Sequence, residues 1–244
     1  MNRAEFRALF DARGAVVLPV IHVLDTDRTL ANIEVLLNAG APGCFLINHD
    51  FGVETFLPII RDVRTAHPGL WMGLNFLAVT GLHAFPKIAA LENEGCRVDA
   101  YWADDGRIDE RSDQQLEAQA IQAGRSGWRG LYMGGTAFKK QRPVDKADYG
   151  LAAGIARNWM DIVCTSGTAT GVEADDSKIA AFRKAIGDTP LALASGVTPD
   201  NAYRYRQADC FMVATGINYP NNFYDIDPTR LRHLIDVADT LELE

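Results

Sequence analysis

The sequence has few of the features that mark a secreted, disulfide-bonded or membrane-embedded protein. Its 244 residues include four cysteines, Cys44, Cys96, Cys164 and Cys210, and no two of them form a C-x-x-C pair. A disulfide framework is therefore not expected, and a reducing, cytoplasmic compartment is the better prediction. The opening segment MNRAEFRALFDARG has no apolar core of the kind that a secretory signal needs. The longest apolar stretch, AVVLPVIHVL, is too short for an integral membrane segment.

Positive charge is also scarce. The chain has 24 Lys and Arg against 32 Asp and Glu, which gives a formal net charge of −8. Nucleic acids and anionic membranes are recognised by basic surfaces, so neither is an expected partner. A small anionic molecule is still a candidate, because local backbone N–H groups can hold it without a net positive charge. The sequence is also compatible with a homo-oligomer.

What the sequence does contain is a regular alternation of short apolar segments and helical patterns. The apolar segments start about 20 to 32 residues apart, which is the length of one βα unit. They are AVVLPVIHV from Ala15, CFLINH from Cys44, LWMGLNF from Leu70, VDAYWA from Val98, GLYMGG from Gly130, DIVCTSG from Asp161, LALASG from Leu191 and CFMVATG from Cys210. Eight such units without a linker, in a chain close to the usual barrel size of about 250 residues, predict one α/β domain over residues 1–244, a single (β/α)₈ TIM barrel.

Helix starts support this reading. Asp25 or Thr26 precedes an amphipathic pattern as a capping residue, and Thr198-Pro199 and Asp227-Pro228 each pair a capping side chain with proline at the first helical position. In such a barrel, the residues after each strand meet at one end, where active sites are found.

The most informative candidate site lies after the seventh and eighth strands. SGVTPDN begins with Ser195 and Gly196, and the eighth strand ends in ATG, which contains Thr215 and Gly216. In phosphate-binding barrels, these two loops present backbone N–H groups to a phosphate, and glycine allows the close approach. The alternative is that the two glycines only turn a strand into a helix.

A second candidate follows the sixth strand. The segment CTSGTATG offers hydroxyl groups and small residues, among them Ser166, Gly167, Thr170 and Gly171. We expect it to close over a bound ligand. A flexible Ser/Thr/Gly turn is the alternative.

Acid–base groups are predicted at other strand ends. Polar side chains at an apolar barrel end are costly unless they serve a ligand or each other, and the candidates there are His22, Asn48, His49, Asp50, Asn75, Asp104 and Asp105. Among them His22, Asn48 and Asp104 are candidate catalytic residues, and Asn75 is a candidate ligand-binding residue. Asp104 suits a general base or a divalent cation, and no dedicated cofactor motif is present. Caps, loop hydrogen bonds and solvated carboxylates are the structural alternatives.

Lys139 follows the fifth strand in FKKQRPV. A lysine at a barrel end can pair with phosphate or, when desolvated, act in acid–base or Schiff-base chemistry; a solvated basic loop is the alternative. The aromatic segment NYPNNFYDID after the eighth strand suits stacking on a base or sugar, a lid or an interface.

These motifs resemble the BtpA/SgcQ family, a family of predicted TIM barrels. The correspondence runs through PVIH, LINHDFG, GLN, WADDGRIDE, the spacing of Lys139 and Pro143, TSGTATG and ASGVTPDN. The chain departs from the family where LDTDRT replaces a Pro-Gly-Ser-Pro element, where LAVTG replaces a charged element, and where ATGINYP holds no lysine, as in a divergent member. The resemblance implies a phosphate-binding barrel with nucleosidase-like or phosphosugar chemistry.

Two functional hypotheses follow. The first is an enzyme, an isomerase, lyase or nucleosidase-like hydrolase, acting on a small phosphorylated sugar- or nucleoside-derived metabolite. Gly196, Thr215 and Gly216 would bind its phosphate, and Asp104 or Lys139 would supply acid–base chemistry. The second is a non-catalytic accessory or regulatory barrel whose open end binds a ligand or a protein partner.

Overall fold

The eight apolar segments form eight strands that close into a parallel barrel. The computed structural model describes residues 1–125 and 127–243. Each strand pairs with its neighbour in chain order, and β8 returns to pair with β1. The strands are β1 (Val16–Val23), β2 (Gly43–Asn48), β3 (Trp71–Asn75), β4 (Ala100–Ala103), β5 (Leu131–Gly135), β6 (Ile162–Thr165), β7 (Leu191–Leu193) and β8 (Cys210–Val213). The predicted fold class is therefore confirmed, and each strand starts within two residues of its predicted position.

Helices cover the outside of this barrel. The α-helices are α1 (Arg3–Ala8), α2 (Thr26–Asn38), α3 (Val53–Ala66), α4 (Gly81–Asn93), α5 (Leu116–Gly124), α6 (Tyr149–Ala156), α7 (Asp176–Ile186) and α8 (Pro228–Asp239), with 3₁₀ helices at Lys146–Asp148 and Ala202–Tyr205. None of the described helices combines the length and the apolar character needed to cross a membrane.

The predicted helix starts are confirmed at two positions and revised at a third. Asp25 caps α2 by accepting from Arg28 N, and Asp227 caps α8, with Pro228 at its first turn. After Thr198-Pro199, however, the chain forms a turn, and only a four-residue 3₁₀ helix follows it. The Thr198 amide donates to Asn201 Oδ1 at 2.8 Å, so a side chain already uses it. This segment therefore offers no α-helix N-terminus to a ligand.

The strands alternate between an interior and an exterior set of side chains. Interior side chains fill the barrel in layers, as expected for this architecture; they include Val16, Leu18, Val20, Phe45, Ile47, Trp102, Met133, Ile162, Cys164, Cys210 and Met212. Gly73 is part of this packing, because a Cβ there would lie 2.2 Å from the Phe45 ring. All four cysteines are free and buried.

Helix α1 closes the amino end of the barrel. Asn2 caps it in a reciprocal capping box with Glu5, and Phe6 is fully buried against the interior residues. Phe10, which follows the helix, packs edge-on against Trp71 with 5.1 Å between ring centroids. Helix α1 and these aromatic rings therefore cover the amino end of the barrel.

Asp209, directly before β8, anchors this closed end. Its fully buried carboxylate accepts from Arg3 Nε at 2.8 Å, from Arg7 at 3.2 Å and from Leu191 N at 3.0 Å, and Arg183 lies 3.5 Å away. A buried carboxylate is tolerated here because every side of it meets a cation or an N–H donor.

Replacing Asp209 by Asn should lower the free energy of unfolding by about 3 kcal/mol or more, since removing one partner leaves buried charge uncompensated. Urea unfolding measures this effect. The matched control is Asp236→Asn, which removes an exposed i,i+4 pair with Arg232 and should cost about 0.5 kcal/mol or less. Equal losses in the two variants would contradict this account of the closed end.

Candidate functional site

A cleft opens at the carboxyl end of the barrel. Parallel strands bring all their carboxyl ends to this side, so His22, Asn48, Asn75, Ser166 and Ser195 share one end, as predicted. The side chains and backbone lining the cleft include Val20, His22, Ile47, His49, Leu77, Trp102, Asp104, Lys139, Lys140, Thr170, Gly171, Ser195, Gly196, Val197, Met212, Thr215 and Gly216. Its floor is therefore apolar and its rim polar.

Asp104 and Asn75 form a buried polar pair beside this cleft. Asn75 Nδ2 donates to Asp104 Oδ1 at 3.3 Å. The second oxygen of each side chain, Asp104 Oδ2 and Asn75 Oδ1, is buried and has no hydrogen-bond partner among the described residues. Burial raises the pKa of Asp104, although the charge of Lys139 and the bond from Asn75 act against this shift. The pair thus keeps hydrogen-bonding capacity that the protein itself does not use.

Lys139 reaches the cleft from the loop after β5. Its Nζ donates to the carbonyl oxygen of Ala194 at 2.8 Å, and its backbone N–H donates to Ser166 Oγ at 2.9 Å. Burial lowers the pKa of Lys139, and the charge of Asp104 partly offsets this effect. The amine therefore lies between the acidic group at the end of β4 and the loop after β7.

His22 forms an aromatic wall with His49 and Phe223. The His22 ring stacks on Phe223 with 3.8 Å between centroids and meets His49 edge-on at 4.7 Å. His22 Nδ1 lies 2.8 Å from Phe223 O. Burial lowers the pKa of His22 to about 4, so the ring is neutral near pH 7. A neutral, stacked imidazole here acts as a wall or a hydrogen-bonding group.

Phe223 belongs to a strap, residues 218–226, that crosses the β1–β2 side of the open end. Arg28 Nε donates to Asp225 at 2.6 Å, and Tyr224 Oη donates to Asp50 at 3.0 Å. Asn32 ties the strap to α2, because it donates to Tyr224 O and accepts from the backbone of Ile226. The strap is thus held on one side by Arg28 and on the other by Asp50.

The loops after β7 and β8 contribute residues with unused backbone donors to the lining of the cleft. Gly196, Val197, Thr215 and Gly216 line it, and their backbone N–H groups donate to no protein acceptor over the described ranges. Gly196 has φ +68°, the left-handed conformation that glycine adopts at little cost. Asn201 holds this turn by donating to Gly196 O at 2.8 Å.

Glycine in these loops is needed mainly for loop-to-loop packing. A Cβ on Gly196 would lie 2.5 Å from the Glu173 backbone, and a Cβ on Gly216 would lie 1.9 Å from Val197 O. Gly167 is similarly constrained, with a Cβ 2.2 Å from Val172 O. Substitution at these glycines would therefore disturb the loops themselves as well as any ligand.

The loop after β6 divides into a buried base and an exposed rim. Ser195 Oγ accepts from Gly167 N at 2.6 Å and donates to Val172 O at 3.0 Å, which joins the loops after β6 and β7. Ser166 is fully buried, whereas Thr170 and Gly171 are exposed at the edge of the cleft. Ser166 and Gly167 hold the loop in place, and Thr170 and Gly171 face the opening.

Asn48 makes contacts with the backbone only. Its Nδ2 donates to Phe51 O at 2.6 Å, and its Oδ1 accepts from Leu77 N at 3.1 Å. The side chain therefore joins the loops after β2 and β3 and does not line the cleft. Its predicted catalytic role is less direct than that of Asp104 or Lys139, which do line it.

Other predicted polar residues are bound in surface networks beside the site. Asp105 pairs with Arg107 at 3.0 Å and accepts from Gln141, and Arg142 pairs with Glu110. These contacts order the loops after β4 and β5 outside the cleft.

Sequence reasoning missed two residues near the site. Lys178 on α7 is buried, and its amine donates to Ala137 O and, at 2.8 Å, to Ser166 O. Burial lowers the pKa of Lys178 to about 8. Lys178 joins the loops after β5 and β6. Because it lies in an ordinary amphipathic helix pattern, the sequence did not indicate a role near the site. Trp102 lines the cleft with a buried Nε1 that has no partner within the described chain; its place between Tyr101 and Asp104 at a strand end was the available signal.

No group of three or more His, Cys, Asp or Glu side chains suited to a metal ion occurs in residues 1–125 and 127–243. A divalent cation at Asp104 remains a prediction from the sequence.

The fold is a TIM barrel with a cleft at the carboxyl ends of the strands. The model of the BtpA family matches residues 141–240, from the loop after β5 to the end of α8. This match confirms the resemblance to the BtpA family over the part of the chain that contains the loops after β6, β7 and β8. No curated protein matches the chain in sequence.

Solved structures share the fold at low sequence identity. (S)-3-O-geranylgeranylglyceryl phosphate synthase from Thermoplasma acidophilum, in complex with its substrate sn-glycerol-1-phosphate, is 15% identical with a TM-score of 0.65, over 98% of this chain and 99% of that one. Phosphoribosyl anthranilate isomerase from Thermus thermophilus is 13% identical with a TM-score of 0.59, over 93% and 99%. A structure described as native KDPGal is 11% identical with a TM-score of 0.62, over 91% and 93%. At these identities the likeness concerns the fold.

The low pKa of His22 makes a prediction about pH dependence. Between its ordinary pKa of 6.5 and about 4, the unfolded state binds a proton that the folded state excludes, so stability falls as the pH drops through this window. The His22→Gln variant should lack this pH-dependent loss of stability, which amounts to about 3 kcal/mol once the pH is below both pKa values. Urea unfolding at pH 7, 6 and 5 measures it. A variant whose stability falls as steeply as that of the wild type would contradict the assignment.

Proposed function

We propose that this chain is an enzyme acting on a small phosphorylated metabolite derived from a sugar or a nucleoside. The reaction belongs to the isomerase, lyase or nucleosidase-like hydrolase classes and takes place in the cleft at the carboxyl end of the barrel. The observation that carries the proposal is a set of four residues in the cleft lining, Gly196, Val197, Thr215 and Gly216, whose backbone N–H groups have no acceptor among the described residues, together with Lys139 in the same lining.

Backbone donors suit a phosphate group in an acidic protein. Each N–H carries a partial positive charge, and several aimed at one point bind an anion without a cationic side chain. This matches a net charge of −8 and the absence of lysine from ATGINYP. Lys139 and Lys140 add positive charge at the same cleft. The loops after β7 and β8 are also where barrels with phosphorylated substrates commonly hold the phosphate.

Asp104 and Lys139 supply the acid–base chemistry in this proposal. Burial shifts the pKa of Asp104 upward and that of Lys139 downward, so both move toward the range where proton transfer near neutral pH is efficient. Both line the cleft, and Asp104 Oδ2 has no protein partner in the described chain. Asn75 orients Asp104 through its amide.

Two structural neighbours support the choice of substrate class by analogy of fold. One is bound to sn-glycerol-1-phosphate, and another is named for a phosphoribosyl substrate. The analogy and the donor geometry lead to the same substrate class.

The anion site is best tested at Thr215, which is exposed in the cleft, because the glycines nearby are needed for loop packing. Thr215→Asp places a negative charge beside the proposed phosphate and should weaken binding by about tenfold or more. Thr215→Asn has nearly the same shape without the charge and should keep binding. The measurement is the rise in melting temperature with inorganic phosphate and with ribose 5-phosphate, which at about 100 times Kd corresponds to about 2.7 kcal/mol.

Stabilisation of all three proteins to the same extent would place the anion elsewhere. No stabilisation of the wild type by either compound would remove the phosphate site from the proposal.

Substitution of the acid–base pair should separate activity from stability. Asp104→Asn and Lys139→Met should each lower turnover by about 10²–10⁴-fold. Because burial disfavours the ionised form of Asp104, the Asn variant should also unfold at the same or a higher temperature than the wild type. The control is Asp105→Asn, whose side chain bonds outside the cleft to Arg107. Turnover is followed by mass spectrometry on a mixture of phosphorylated sugars and nucleosides, and full activity of either variant would remove that residue from the mechanism.

A further inference from the structure

We propose that Lys139 forms a covalent imine with the carbonyl carbon of a short phosphorylated ketone or aldehyde. This inference rests on the proposed function, because the phosphate end of the substrate is what brings its carbonyl group to the amine. It narrows the reaction to those that proceed through an imine.

The amine of Lys139 has a neutral hydrogen-bond partner, which favours its reactive, uncharged form. Its Nζ bonds to a neutral carbonyl oxygen, that of Ala194, and within the described ranges it forms no ion pair. Lys87 and Lys146 show the usual alternative, since each binds a carboxylate at the surface, Glu54 and Asp175 respectively. An amine desolvated without a carboxylate partner exists more readily in the uncharged form that attacks a carbonyl, and burial does lower the pKa of Lys139.

The distance between this amine and the anion site limits the length of the substrate. Lys139 Nζ contacts the Ala194 carbonyl at 2.8 Å, and the Gly196 amide lies two residues further along the same loop. Two residues span at most about 7 Å. With a phosphate at Gly196 and Thr215, this separation suits a short substrate in which one or two carbon atoms lie between the carbonyl carbon and the ester oxygen. Substrates of this class are compounds such as dihydroxyacetone phosphate or glycolaldehyde phosphate.

Asp104 is placed to handle the protons of the reaction. The neutral amine attacks the carbonyl carbon, a C–N bond forms, and the carbonyl oxygen takes a proton from the Asp104 carboxyl group to give a carbinolamine. The carbinolamine nitrogen then loses one proton to the Asp104 carboxylate, which passes it to the hydroxyl group. That group leaves as water, and nitrogen retains one hydrogen in the protonated imine. The net change is one amine, one carbonyl group and one proton converted into one iminium ion and one water. The buried Oδ2 of Asp104, without a partner in the described chain, is the atom available for this transfer.

The apolar floor of the cleft favours the dehydrated product. Val20, Ile47 and Met212 line it below the polar rim. An apolar surface beside the new C=N bond limits the access of water that would hydrolyse it.

The test is reductive trapping with borohydride. The full chain is incubated with dihydroxyacetone phosphate or glycolaldehyde phosphate, reduced, and analysed by intact mass and peptide mapping. We expect one adduct per chain, located on Lys139, and about tenfold less adduct with unphosphorylated dihydroxyacetone at the same concentration. Lys139→Arg should abolish the adduct, and Lys146→Met, which changes a surface lysine outside the cleft that pairs with Asp175, should retain it. Melting temperatures of both variants show that they are folded.

The outcomes separate this inference from the proposed function. An adduct on Lys140 or spread over surface lysines, or an adduct that forms equally without the phosphate, would overturn the imine. If phosphate stabilises the wild type but not Thr215→Asp, and no adduct forms on Lys139, the anion site stands and the imine is wrong. An adduct on Lys139 that is lost in Thr215→Asp supports both.

Discussion

The close approach of three backbone segments after β6, β7 and β8 is the constraint on which the candidate site depends. Gly167 lies against Val172, Gly196 against Glu173 and Gly216 against Val197, each too close to admit a Cβ atom. Because these loops support one another, Gly196, Val197, Thr215 and Gly216 are held in the lining of the cleft. Ser195 strengthens the arrangement by bonding to both Gly167 N and Val172 O.

Buried polar and charged groups occur at both ends of the barrel. At the amino end, the charge of Asp209 is matched by Arg3, Arg7 and Arg183 and by a backbone N–H group, and that end is closed. At the carboxyl end, Asp104 and Asn75 are buried with oxygen atoms that no described protein group satisfies. Buried polar groups without partners reduce stability, and such groups are retained where they serve function. Arg183 Nε at the closed end is also buried without a partner among the described residues, so it is the position of Asp104 in the lining of the cleft that makes the carboxyl end the candidate site.

The strap of residues 218–226 adds a further element to this end. Its Phe223 ring stacks on His22, and its edges are fixed by Arg28 and Asp50. Of the alternatives that the sequence left open for this segment, stacking on a base, a lid or an interface, the structure shows a strap that covers one side of the barrel end. His22 contributes there as a neutral, desolvated ring.

The sequence by itself determined the architecture. Eight apolar segments at the spacing of βα units can bury their side chains in only a few ways, and glycines and capping residues placed the loops to within a few residues. It also indicated which loops would carry the candidate site, because parallel strands bring their carboxyl ends together whatever the side chains are. The pattern after Pro199 misled the helix prediction, since the Asn201 side chain takes the Thr198 amide and a turn replaces the first helical turn.

Only the tertiary structure decided the roles of individual side chains. Asn48 and Asn75 looked equivalent as strand-end asparagines, yet one bonds to backbone in two loops and the other faces Asp104. Lys139 contacts Ala194, which is 55 residues away in sequence, and Lys178 reaches the loop after β5 from a helix surface. These contacts depend on distances between segments far apart in the chain and on how completely each group is removed from water. Local sequence carries neither quantity, which is why the location of the site could be predicted and its chemistry could not.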